Sequence, residues 1–154
     1  MRLAAARVHA IDWGVDYQFR YEPGGQRFLV LPDDPQALAG VSNGAQANAA
    51  PQASVTARRP TKIAGTLPSK QAYFDAASTG GSGQPIPPEW LSGIAGAEEF
   101  TGVNWSAPIL FHPDGTAAQA YVIIRDKDAR RVVLSVRSLT GGVTISKIEN
   151  GATP

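Results

Sequence analysis

The chain has 154 residues, 43% hydrophobic and 18% charged, enough for one globular domain with a core of its own and too few for two. Fourteen basic against 13 acidic residues leave a formal net charge of +1, which excludes a general field drawing the protein to nucleic acid or to an anionic membrane. The lack of cysteine removes disulfides, thiolate nucleophiles and cysteine-ligated metals, and two histidines as distant as His9 and His112 make no histidine-rich metal site.

In chain order, Leu3, Ala4, Val8 and Ile11 recur at helical spacing, Arg2, Arg7 and Asp12 can lie toward water, and Gly14 supplies a C-terminal cap. This pattern predicts a short amphipathic helix over residues 2–13. It is too short and too interrupted for a signal peptide, and no run reaches the ~20 apolar residues that span a bilayer, so the chain as written is expected to be soluble. The period then changes. Val15, Tyr17, Phe19 and Tyr21 alternate with Asp16, Gln18, Arg20 and Glu22, predicting a strand with one buried face, and "EPGG" turns it into a second strand, "RFLVLP".

Residues 33–60 contain no aromatic residue and are rich in Ala, Gln, Asn, Gly and Ser, which predicts a flexible insertion decorating the domain. Two short strands are expected around Leu67 and Pro68, a flexible loop tip over "STGGSGQPIP", and one helical turn in "PPEWLSGI" with Pro88 at its first position. The last third holds four β-rich runs, "APILF", "AQAYVIIRD", "RRVVLSVRS" and "GVTISKI", read as a meander with Val132, Leu134 and Val136 facing the core and Arg131, Ser135 and Arg137 facing away. With no strand-helix-strand alternation to support parallel pairing, the class is α+β, a short N-terminal helix packed on antiparallel β-sheets built from hairpins and a C-terminal meander.

Candidate chemistry is sparse. His112 and Asp114 in "FHPDGT" lack a third partner at any catalytic or metal spacing, whereas Pro113, Asp114 and Gly115 have the chemistry of a tight turn, with His112 an exposed strand end. Gly141 and Gly142 mark a second turn. Trp13, Trp90 and Trp105 are read as core or loop anchors in preference to a recognition platform. Arg125, Lys127, Arg130 and Arg131, with Arg137 nearby, form a candidate patch for an anionic ligand, interrupted by Asp126 and Asp128. No serine, histidine and acid arrangement or paired-carboxylate motif points to a hydrolase, and no cofactor or metal is called for.

The order of these features resembles the minor pseudopilins of the GspH/FimT family, pilin-like proteins of type II secretion systems and related pili: a helix running into a β-hairpin, an internal "LP" before an aromatic strand, "ILFHPDGTA", a strand ending in charged turn residues, and a terminal "SLTGGVTIS". The most specific part is residues 109–146. The resemblance implies an assembly subunit with no enzymatic activity, whose partners are other pseudopilin or pilin subunits and secreted cargo. Members carry a long N-terminal helix that anchors them in the inner membrane and is later buried in the filament, with a periplasmic β-rich domain outside. Residues 2–13 match only the end of such a helix, so membrane attachment would depend on a segment absent from this chain. Within the family the alternative is a FimT-like minor pilin that binds DNA for uptake, but Gly142 and Thr144 stand where DNA-binding relatives tend to carry arginines.

Overall fold

The structure, a computed structural model, describes residues 2–34, 59–80 and 83–150. The chain opens with helix α1, Leu3–Trp13, which stops where Gly14 enters the left-handed region (φ 66°) and donates its N–H to the Ala10 carbonyl at 3.0 Å. Strands β1 (Tyr17–Tyr21) and β2 (Arg27–Pro32) form the predicted hairpin, in register from Tyr17 opposite Pro32 to Tyr21 opposite Phe28. Strands β3 (Ile63–Thr66) and β4 (Ala72–Phe74) flank Leu67-Pro68 as expected, and Pro88 starts a single 3-10 turn, Pro88–Leu91; a second, Ala97–Phe100, follows. The remaining strands are β5 (Ile109–Phe111), β6 (Ala120–Asp126), β7 (Arg130–Val136), β8 (Val143–Ile145) and β9 (Glu149–Asn150).

All pairings are antiparallel. One sheet runs β3-β2-β1-β5, the other β4-β6-β7-β8 with β9 also paired to β7. The predicted α+β architecture holds, with the helix docked on two sheets whose facing sides enclose the main core. "APILF", however, is not part of the meander. Its strand β5 pairs with β1, Tyr17 opposite Phe111, and only the short contact of Phe111 with Ala117 precedes the crossing into the second sheet. The Pro-Asp-Gly turn therefore joins the two sheets, a long-range choice that local turn chemistry leaves open.

The helix also buries a different face from the predicted one. Leu3, Ala6 and Ala10 are sealed against the sheet, while Ala4 is exposed and Val8 and Ile11 remain 49% and 45% exposed. Both sets satisfy helical spacing. Alanines permit closer approach to β1 and β5, where Tyr17, Phe19 and Phe111 supply the volume, so the small-residue face goes inward.

A one-sided first sheet was expected, and it is covered on both sides. Tyr17, Phe19, Phe28, Val30, Ile109 and Phe111 face the main core, while Leu29 and Leu31 face a second cluster with Ile86, Leu91, Phe100, Val103 and Trp105. This cover explains why β2 is apolar on both faces. The segment read as a flexible tip is laced down where it is described: Ser78 Oγ accepts from the Ile123 N–H at 2.8 Å, Thr79 N–H donates to the Tyr121 carbonyl at 2.9 Å, and Gln84 bridges Trp105. The predicted insertion lies, over residues 35–58, outside the described residues.

Candidate functional site

The two turns singled out in the sequence come together. In the first, His112 N–H donates to the Thr116 carbonyl (2.9 Å), Gly115 N–H to the His112 carbonyl (3.0 Å), and Asp114 Oδ1 accepts from both the backbone N–H and the hydroxyl of Thr116. Those bonds hold the Asp114 carboxyl below its ordinary range. Pro113 is exposed and Gly115 buried. In the second turn Gly141 N–H donates to the Arg137 carbonyl (2.8 Å) and Arg137 N–H to Gly142 (3.0 Å).

Gly141 lies so close to the first turn that a Cβ there would sit 2.6 Å from the Gly115 carbonyl oxygen and 2.9 Å from Arg7 Cδ. The turns thus lock to each other and to the helix through Arg7, whose Nε is buried without a hydrogen-bond partner among the described residues. The assembly fixes the helix on the β domain.

His112 is not a free strand end. Its Nδ1 lies 3.0 Å from Asp16 Oδ1, tying the end of β5 to the helix-β1 connection. Beyond it runs a polar chain on the outer side of β1: fully buried Gln18 donates to Asp33 Oδ1 (3.0 Å), Arg20 Nε donates to Gln18 Oε1, and Arg20 Nη1 donates to the Ser106 carbonyl (3.1 Å). Burial pushes the Asp33 carboxyl up, with nearby Asp16 adding to it, and pushes the Arg20 guanidinium down. Arg20 also lies over the Trp90 ring at 5.9 Å. This chain holds the 3-10 cover on the sheet. Among the described residues no group of three His, Asp or Glu side chains is placed to hold a metal.

The tryptophans are anchors. Trp105 is fully buried and stacks on Phe100 with centroids 6.2 Å apart, and Trp90 and Trp13 are half-buried against the second and main clusters.

The basic patch is brought together and is also neutralised. Register places Tyr73, Arg125, Arg131 and Glu149 in one row across β4, β6, β7 and β9. Arg125 pairs with Asp75, Arg130 with Asp126 (2.7 Å) and Asp128 (3.3 Å), and Arg131 with Glu149 (2.6 Å). Among the described residues no ion pair engages Lys127 or Arg137. Asp75 and Glu149, which reach the patch only through strand pairing, could not be assigned to it from sequence proximity.

Among the described residues, large apolar side chains are exposed at Tyr121, Leu139, Ile145 and Ile148 and, half-exposed, on one side of α1. Ala4, Val8 and Ile11 follow i, i+4, i+7 spacing and make an apolar stripe directed away from the core. Among the described residues no helix is long and apolar enough to cross a membrane. No family model, curated protein or solved structure matches the chain.

Proposed function

We propose that this chain is the globular part of a minor pseudopilin-type subunit that acts in protein secretion through subunit contacts in a pilus-like filament, with no catalytic step. The observation that carries the reading is the helix. A surface helix of a free-standing domain ordinarily turns polar residues to water, yet here Val8 and Ile11 face out beside Ala4 while the alanine face packs inward. Covering Val8 and Ile11 with a neighbour's helix would favour association by roughly 1–3 kcal/mol from apolar burial alone. The order of motifs from Ile109 to Ser146 supports the same reading, and the locked turns give the helix a rigid seat. The polar balance of the basic patch favours assembly over DNA capture, since three of its five cations are spoken for by acids.

The test is complementation in the source cell. The double variant Val8→Ser/Ile11→Ser, which gives up only the buried half of each side chain, should lower the melting temperature of the purified domain modestly while leaving it folded, and abolish filament-dependent secretion. Normal secretion by a folded double variant would contradict the reading.

A further inference from the structure

Burying a cation costs free energy unless it is paired and hydrogen-bonded, so a cation partly withdrawn from water ordinarily has an acid or a carbonyl against it. Arg7 has neither. Its Nε is buried with no hydrogen-bond partner, and among the described residues no ion pair engages its guanidinium. Two other buried side-chain nitrogens lack a hydrogen bond, and both differ from it: Arg125 Nε sits against the Asp75 carboxylate, and Trp105 Nε1 carries no charge. The acids nearest in the chain and at the turn are engaged elsewhere or misplaced. Asp12 is five positions along α1, off the three- and four-residue spacings that meet on a helix, and Asp114 Oδ1 accepts from the N–H and hydroxyl of Thr116.

The guanidinium lies where α1 meets the two locked turns. Cδ and Nε are 2.9 and 3.1 Å from the place a Cβ on Gly141 would take, and Nη2 is 3.6 Å from that of Gly115, with Ile11 Cδ1 beside it at 3.9 Å. Stem and Nε are therefore wedged into the junction, and the half-buried residue is left with its two Nη groups as open donors. Exposed apolar side chains stand on both elements that meet there: Val8 and Ile11 on the helix, and on the second turn Leu139, 86% exposed and two residues before Gly141. An arginine framed by apolar side chains is a recurrent anchor of protein interfaces, and two donors on one edge match the two oxygens of a carboxylate. We propose that Arg7 is the specificity contact of the outward helix face, and that the subunit covering Val8 and Ile11 lays an Asp or Glu side chain on its guanidinium. This inference rests on the assembly reading above and adds to it the charge the partner must bring.

The experiment uses the full chain carrying Val8→Cys, labelled with a maleimide-benzophenone and irradiated in the source cell, alone and combined with Arg7→Met or Arg7→Glu. Arg7→Met keeps an aliphatic stem against Gly141 and removes the charge, so the purified variant should melt no lower than its parent, because an apolar replacement for an uncompensated buried charge is neutral or stabilising. A clearly lower melting temperature would mean that the guanidinium already has its partner within the chain, and would overturn the proposal. In the cell, Arg7→Met should cut the adduct with the neighbouring subunit at least about tenfold, the worth of one charge-assisted hydrogen bond, and Arg7→Glu should remove it. Arginine in place of one acidic residue of the adducted partner segment should then restore the adduct to Arg7→Glu. Undiminished adducts in both variants would overturn the carboxylate contact while leaving the covered helix face standing. No protein adduct from position 8 in the parent, or adducts to phospholipid alone, would overturn the covering itself and this inference with it.

Discussion

At Gly141 the turn pair depends on a single hydrogen atom. Gly14 and Gly141 both sit at positive φ, 66° and 56°, so alanine at either meets the left-handed penalty of about 1–2 kcal/mol. Nothing lies within 4 Å of a Cβ on Gly14, whereas one on Gly141 meets the backbone of Gly115. Gly141→Ala should therefore destabilise by at least about 2 kcal/mol more than Gly14→Ala, since backbone overlap adds an overpacking cost, as read by denaturant unfolding of the two variants; equal losses would show that the turns do not lock. Two carboxyls should respond to pH with opposite signs. Asp33, raised by burial and by Asp16, weakens the fold once ionised, so Asp33→Asn should stabilise at neutral pH, with the gain vanishing as pH falls below the ordinary aspartate range. Glu22, lowered by its two hydrogen bonds from Arg27 at 2.9 Å, contributes stability present above the unfolded glutamate pKa and lost as pH falls through its folded value. Glu22→Gln should destabilise at neutral pH and be silent in acid. Melting curves across that range check both signs.

Among the elements, α1 separates what the sequence can say from what it cannot. Its existence and its end at Gly14 were legible, because alanine-rich helical spacing and a capping glycine are local signals. Its orientation was not: Leu3, Ala6 and Ala10 repeat as regularly as Ala4, Val8 and Ile11, and only the bulk of Tyr17, Phe19 and Phe111 beneath the helix selects the smaller face. Ala10→Leu should consequently destabilise by roughly 1–3 kcal/mol through overpacking, while Val8→Ser and Ile11→Ser, each already half-exposed, should cost about 1 kcal/mol apiece in the isolated domain; the reverse order in thermal unfolding would restore the other face. The β1-β2 hairpin and the β6-β7-β8 meander were legible for the same local reasons. The pairing of β5 with β1 and the 3-10 cover with Trp105 were not, since both join residues far apart in the chain, such as the Ser106 hydroxyl that accepts from the Tyr21 N–H 85 positions away.

For the molecule as a whole the question is what its surfaces meet. The basic patch was visible in the sequence as a run of cations, but its charge balance was only half visible: Asp126 and Asp128 are local, while Asp75 and Glu149 arrive by strand pairing. With four acids among Arg125, Lys127, Arg130 and Arg131, the domain is expected to bind duplex DNA no more tightly than the ~10⁻⁴ to 10⁻⁶ M of non-specific contact. Submicromolar, salt-sensitive binding lost on neutralising those four residues would favour DNA capture. The central claim is that the outward stripe of α1 is covered by another subunit. The parent chain has no cysteine, so single cysteines can be read without background. The most direct measurement is photo-cross-linking in the source cell of Val8→Cys, Ile11→Cys and a control, Lys127→Cys, each labelled with a maleimide-benzophenone that needs no thiol on the partner. The account predicts discrete adducts with a pilin-like subunit from positions 8 and 11 and none from 127; adducts from 127 alone would contradict it.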